Sequence, residues 1–454
     1  MAEKNGKHNI LESGGEGLIL MAVRKILALN RKEGLRSLLW HALPRIFRVL
    51  SGLMASVVVA RHLGAEDFGT LSFYTAAVMT TSSLVGLGAL EVLTRAVAAE
   101  PQDGVFTLRV ILRLRTWGAA LAALFFIAGG LVFLRPDLVL ILAAVPLLLI
   151  PDAIEAYYFG ERKFHRTAPL RVCAAMLGLM ARLGLAWTQA GLPAFAAATV
   201  FEMGFVACGL LFMSPTRRQA MPPFTPADLA IYFKQGFPLA ITALVLAFSM
   251  RIDQFTLAWL RPGAELGNYY AVLRFFEFIV MIFPSITAVL LPRLTLLYEV
   301  DRGKFGAEMV KVYRYCYVGG LVSAGFLSFI SPWLVSLIFG KEYEGASPIF
   351  RIYAFCLVFT LVGSIRAMHL IIMKNTMAHL WTCLAFLPLA PFTVYLPAKI
   401  FGAPGLAAAM IFNFAWGATI FSRILPSCRQ DWVYQREALL SLFGARTPAK
   451  IMAD

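Results

Sequence analysis

Ionisable side chains interrupt several long apolar runs of this sequence: Arg48, Arg182, Glu202, Arg251, Asp253, Arg274, Glu277 and Arg366. If those runs are membrane helices, each such charge costs roughly 2.5–3.5 kcal/mol at mid-helix and must meet a partner or line a polar cavity. A guanidinium holds its charge and forks onto two oxygens, so it suits an anionic group carrying phosphate-like oxygens. A carboxylate beside it can bind a coupling cation or a proton. Counting helical rise from the two ends of one hairpin sets Arg251 level with Glu277 and Asp253 level with Arg274. Arg274 and Glu277 are also three apart on one helix face. Two compatible readings follow: structural ion pairs that let the segment insert, or a polar cavity wall. Arg182 and Glu202 fall at similar depth on neighbouring runs and read as a structural pair. Asp152 and Glu155 face the basic stretch 162–171. Arg366 and His369 form one more i,i+3 polar stripe.

The elements that carry these residues must be membrane helices. The chain has 454 residues, 59% of them hydrophobic and 15% charged. Soluble domains run near 45–50% apolar and about 25% charged. That contrast excludes an ordinary soluble enzyme, a disordered chain and a soluble nucleic-acid binder. About twelve segments reach the roughly 20 apolar residues a crossing needs. They run near 37–60, 68–93, 110–134, 138–159, 167–189, 193–213, 236–260, 268–292, 311–338, 348–373, 378–398 and 403–425. No β-alternation appears, so the fold class is all-α, a polytopic helical bundle.

Orientation follows from lysine and arginine. With the N-terminus inside and the spans alternating, 31 of the 41 Lys and Arg fall on the inner side and 6 on the outer, which the positive-inside rule assigns to two cytoplasmic termini. The net charge of +15 then belongs to cytoplasmic loops facing anionic lipid rather than to nucleic acid. Residues 1–17 are polar and do not read as a cleavable signal peptide. Residues 17–36 read as a basic amphipathic stretch lying on the membrane surface or as a loose tail. The six cysteines show no metal-ligand spacing and read as free core thiols.

A weak internal repeat divides the chain. At an offset of 198 residues Phe68-Gly69 aligns with Leu266-Gly267, Asp67 with Glu265, and Arg95 with Arg293. The polar, Pro-rich segment 214–235 separates six spans from six. The expected organisation is an interfacial segment 1–36, a first lobe 37–213, a linker 214–235, a second lobe 236–425 and a tail 426–454. An even offset of spans makes the repeats parallel, related by an axis along the membrane normal.

Ala60, Arg61, Leu63, Gly64, Phe68 and Gly69 meet the pattern Ala-Arg-x-Leu-Gly-x-x-x-Phe-Gly. This stretch, with Gly86-Leu87-Gly88, Arg95, Asp253 and Gly267-Asn268-Tyr269-Tyr270, resembles the polysaccharide-biosynthesis flippases. That group includes O-antigen, exopolysaccharide and enterobacterial-common-antigen translocases. The resemblance implies the multidrug/oligosaccharidyl-lipid/polysaccharide exporter (MOP) fold, two six-helix lobes forming a V around a central cavity. It implies a polyprenyl-pyrophosphate-linked oligosaccharide as substrate, in a bacterial inner membrane, with a polysaccharide polymerase as a candidate partner. On that reading Arg48, Arg251, Arg274 and Arg366 bind the pyrophosphate. Asp253, Glu277 and Glu202 are candidates for coupling to H+ or Na+.

The sequence carries no Walker loop, Rossmann fingerprint, HExxH or nucleophile elbow. No catalytic residue, metal site or cofactor is expected. The loops of the outer side are too short for a catalytic domain, which disfavours a membrane polymerase or glycosyltransferase. A small-molecule or ion antiporter on the same fold is the alternative; a cavity for cationic drugs would be net acidic, and here arginine matches or outnumbers acid at mid-depth.

Overall fold

The computed structural model describes residues 47–86, 89–99, 103–130, 135–217, 225–375, 377–378, 381, 384 and 387–442. The amphipathic stretch at 17–36 and Cys383 lie outside them. Every element among the described residues is helical. Hydrocarbon imposes this, because an α-helix satisfies its backbone N–H and C=O groups within one segment.

The chain divides into a unit at 1–49 and a compact unit at Leu50–Asp454. Helix α1, Phe47–Gly86, is 40 residues long. At about 1.5 Å per residue it would reach ~60 Å, twice the hydrocarbon thickness. Gly64, with φ of 74°, divides it into two spans; only a residue without Cβ enters that region freely. The first lobe continues with α2 (Ala89–Ala99), α3 (Gly104–Gly130), α4 (Pro136–Gly160), α5 (Ala168–Trp187) and α6 (Leu192–Phe212). In the second lobe α7 (Pro226–Ser249) and α8 (Ile252–Leu260) are the halves of one broken span, bent by 50°. Then follow α9 (Ala264–Val280), α10 (Phe283–Val300), α11 (Arg302–Phe339), α12 (Ala346–Ile372), α13 (Pro391–Ile424) and α14 (Arg429–Leu442). Among the described residues eight helices are long and apolar enough to cross a membrane, nine with the bent pair. Gly64 divides α1, and Gly402 (φ of 64°) interrupts α13, so two of these helices are longer than a single crossing.

Helix ends depart from the apolar runs. Helix α7 begins at Pro226, inside the expected linker, because Thr225 and Asp228 form a reciprocal capping box: the Thr225 N–H donates to the Asp228 carboxylate at 2.7 Å. Helix α11 begins at Arg302, where Asp301 accepts from the Lys304 N–H at 2.9 Å. Hydropathy marks only the part of a helix in hydrocarbon, and both helices run on beyond it. The cysteines also need correction. Cys356 and Cys428 are buried, but Cys173 and Cys208 are exposed on lobe surfaces, where bilayer contact suits an apolar thiol as well as a core does.

The interior changes character along the membrane normal. Near the loops at 61–66, 189–191, 261–263 and 340–345, one apolar core joins both lobes, with Ala60, Phe68 and Tyr74 packed among Leu266, Tyr269, Phe339 and Tyr343. Toward the opposite, cation-rich face the core splits. Leu93, Ile111, Ile154 and Leu210 belong to the first lobe alone, and Leu294, Phe305, Met309 and Ile365 to the second alone. One core is shared by both lobes and two further cores are each confined to one lobe. Helix α7 packs on α2 and α3 of the first lobe.

At the joined end the repeat meets itself. A Cβ built on Gly69 would lie 2.6 Å from the Gly267 N, and one on Gly267 would overlap the Ala65 carbonyl. These glycines are the pair matched at the 198-residue offset. Close helix approach through small residues is how membrane helices associate without a hydrophobic driving force.

Residues 429–442, expected as part of a tail, dock on the second lobe as α14. Asp431 is fully buried. It accepts hydrogen bonds from the Tyr313 hydroxyl and from Gln435 Nε2 (2.7 Å), and its Oδ1 lies 3.0 Å from His369 Nδ1. Gln435 also donates to the Ala418 carbonyl at 3.0 Å and accepts from Tyr317 at 3.2 Å. A buried carboxylate is tolerable only with such a set of donors.

Two outcomes are expected from these contacts. Gly267→Ala should lower stability by about 1–3 kcal/mol, as overpacking does, and G69A should act in the same direction. G319A and G325A, whose new methyl groups would meet nothing within 4 Å, should leave the unfolding temperature in detergent unchanged. Asp431→Ala should cost about 3–5 kcal/mol by orphaning the donors around it, read as the same thermal shift together with faster proteolysis at 425–442.

Candidate functional site

The break in the seventh span falls between Ser249 and Ile252 and leaves Arg251 with φ of −129° and ψ of 10°, just before α8. Asp253 occupies the first turn of α8, where unsatisfied backbone N–H groups favour a negative charge. It is 2% exposed. The Tyr269 hydroxyl of α9 donates to its Oδ2 at 2.5 Å, while Oδ1 accepts no hydrogen bond. Gln254 Oε1, on α8, and Asn413 Oδ1, on the packed helix α13, are likewise buried without a partner.

One helix on, Arg274 and Glu277 pair at 3.2 Å with both side chains partly exposed. The buried Tyr270 lies within electrostatic reach of Asp253, Arg274, Arg251 and Glu277 together. The four charges thus sit on two consecutive helices, Arg251 and Asp253 at the start of α8 and the Arg274–Glu277 pair on α9. Of the pairings that helical depth suggests, neither Arg251 with Glu277 nor Asp253 with Arg274 forms an ion pair. Tyr269 holds the buried acid instead.

The remaining charges form separate groups. Arg182 Nη1 bonds Glu202 at 2.7 Å and Arg182 Nη2 bonds Thr199 at 3.1 Å, with Gly178 leaving room that a Cβ would fill. Arg171 reaches Asp152 at 2.8 Å and also bonds Glu155. Beside these acids, Thr94, Arg95 and Phe159 help to line a cavity of about 400 Å³. Arg366 is 5% exposed, and its Nε and Nη1 donate to no partner among the described residues. Its charged and polar neighbours are Tyr313 and Cys428, in the cluster around Asp431 rather than around Tyr270. Arg48 lies in the helical residues 47–49, which belong to the 1–49 unit.

At the joined end the loops are clamped by polar contacts. Arg61 forks onto the Leu337 and Ile338 carbonyls at the end of α11, with Nε 2.8 Å from Ile338 O. A cation there satisfies acceptors that no later turn of helix can reach. Tyr343 donates to the Ala60 carbonyl at 2.9 Å. Both contacts cross from the first lobe to the second. Within each lobe the same loops touch: His62 lies 3.0 Å from the Ala190 carbonyl, and in the second lobe Glu265 accepts from the Ala403 N–H at 2.6 Å. In the sequence Arg61, Tyr269 and Tyr270 stand out only as parts of the motifs that carry the resemblance, and Tyr343, Asn413 and Asp431 receive no role. Asp431 alone left a periodic trace, since Asp431, Gln435 and Ala438 follow a helical spacing.

Comparison with known proteins agrees with this architecture. A search of curated proteins returns no match. Among solved structures, the chain is similar to a multidrug resistance MATE family transporter of the MOP superfamily in its inward-facing conformation, with a TM-score of 0.68 and 14% identity, covering 88% of this chain and 96% of that one. It is similar to the lipid II flippase MurJ in an inward closed conformation, with a TM-score of 0.67 and 15% identity, covering 90% and 94%. Against an outward-facing MATE transporter the TM-score is 0.56, at 13% identity over 90% and 96%. A family profile described as "Polysaccharide biosynthesis protein" matches residues 58–348. That stretch takes in the Arg61 loop, the linker, the broken seventh span and the Tyr269–Asp253 contact, and by it the chain belongs to the polysaccharide biosynthesis protein family, on a MOP-type transporter fold.

Proposed function

We propose that the protein is a flippase that moves a polyprenyl-pyrophosphate-linked oligosaccharide from the cytoplasmic to the outer leaflet of a bacterial inner membrane. The observation that carries the reading is the buried Asp253, one oxygen unpartnered, beside Arg251 at a break in a membrane span, with Arg274 and Glu277 on the next helix. Irregular backbone and unneutralised arginine inside the membrane both fit a wet, anion-accepting wall. The cation-rich face is the cytoplasmic one in this reading. The lobes diverge there to admit the sugar-pyrophosphate head, while the lipid tail stays in the bilayer. The joined end, clamped by Arg61 and Tyr343, opens when the lobes rock. Arg251 and Arg274 bind the pyrophosphate; Arg48 and Arg366 are further candidates, Arg366 only after α14, which carries Asp431, moves away from it.

Asp253 is the coupling group. Its buried, unpartnered Oδ1 is a free acceptor for Na+ or a proton, and the unpartnered oxygens of Gln254 and Asn413 lie on the same helix and on one packed against it. Glu277 and Glu202 are secondary candidates. Export of small molecules by the same fold is the competing reading, and the same assays separate the two.

In proteoliposomes, R251Q and R274Q should each reduce flipping of a fluorescent polyprenyl-pyrophosphate sugar by about tenfold or more, the loss expected for one charge-assisted contact, with insertion and yield unchanged. Normal flipping by both variants would remove the site assignment, and altered drug efflux with unchanged glycan would favour the antiporter. D253N should abolish any dependence of flipping on a Na+ or pH gradient while substrate binding persists.

A further inference from the structure

Helix α14 turns its acids inward and its bases outward. Asp431 and Glu437 are buried. On the other side Arg429, Trp432, Val433 and Arg436 follow the i, i+3, i+4, i+7 spacing of one helical stripe. With Arg423, Ile424 and Pro426, from the end of α13 and the turn after it, they line a groove of about 640 Å³. Three guanidiniums share this groove, and none of them pairs with a carboxylate among the described residues. Arg429 and Arg436 stand ~10 Å apart along the helix and bracket Trp432.

The groove begins where the last membrane-spanning helix ends, at Ile424, itself exposed. Trp432 presents an amphipathic ring and Ile424 and Val433 an apolar flank, the composition found where head groups meet acyl chains. The core that α14 closes contains residues of the second lobe only. The groove therefore belongs to one lobe and not to the junction through which cargo would pass. That placement selects a resident bilayer lipid over the transported one.

We infer that this groove binds the head group of an acidic phospholipid of the adjoining leaflet. Arg423, Arg429 and Arg436 fork onto the phosphodiester oxygens, and Trp432 packs on the glycerol region. The bound lipid ties α14 to the end of α13 and so supports the insertion of Asp431 beneath it. The groove itself stands apart from the proposed transport activity; the choice of a resident lipid over the cargo rests on that reading.

The test counts lipid bound to the purified full-length chain by native mass spectrometry during titration with phosphatidylglycerol or phosphatidylcholine. The variant R423Q/R429Q/R436Q should need about tenfold more phosphatidylglycerol for half-occupancy, with phosphatidylcholine unaffected. The equally charged control R162Q/R166Q/R302Q, which removes three exposed arginines of other loops, should match the unaltered chain. Equal occupancy in the groove variant, or an equal loss in the control, would overturn the site. Displacement of the lipid by millimolar inorganic phosphate would overturn the lipid assignment in favour of a soluble phosphate ligand. Should the triple variant not fold, R429Q alone is scored against R162Q alone, and an unchanged half-occupancy in R429Q overturns the site.

Discussion

Hydrocarbon does not solvate polar groups, and the arrangement of this molecule follows from that. Every charge or carbonyl carried into the membrane must find an internal partner or a wet surface. Arg182 finds Glu202 and Thr199. Arg171 finds Asp152 and Glu155. Where α4 breaks near Pro151, Arg115 caps the freed carbonyls of Leu149 and Ile150. The same accounting singles out what is unsettled. Asp253 keeps one oxygen unpartnered, and Arg366 keeps two nitrogens so. Gln254, Asn413, Tyr270 and several other buried groups share that condition, and Asp253 and Arg366 differ from them in carrying charge.

Repetition supplies the mechanics. Two lobes meet where Gly69 faces Gly267, and the contact is tight because neither residue has a side chain to hold them apart. A seam of small residues and a few polar clamps closes well and also separates at low cost. The contacts that cross it, Arg61 on α11 and Tyr343 on Ala60, lie at loops rather than deep in a packed core. Away from that seam each lobe has a core of its own, and α7 bridges them there, through Tyr232 on Thr107 and Ala240 beside Leu114. Rigid lobes joined at one end suit rocking better than bending.

The broken seventh span links the two themes. Its first half leans on the first lobe while its second half packs in the second. The break at Met250–Arg251 is therefore the point where lobe position and membrane charge meet. On the proposed function, a rearrangement of the lobes would act on this bend and so on the placement of Arg251 and Asp253.

How much of this was legible beforehand depends on range. Hydropathy is local, so the apolar spans, the all-helical class and the cationic face could be read from residue order alone. Glycine in the Gly64-to-Gly69 loop was readable too, because a tight reversal restricts which residues serve. Depth counting placed Arg182 beside Glu202 because rise per residue is constant along a helix. Azimuth is not constant across a break, and so depth counting paired Asp253 with Arg274 when Tyr269 holds it. Docking of α14 was also beyond reach: Asp431 sits in a polar, charged segment, and only contact with Tyr313 and His369, 118 and 62 residues away, makes its burial tolerable. Patterns along a chain tell which solvent each segment prefers. Which buried group meets which partner is settled by packing between segments distant in sequence, and that exists only in three dimensions.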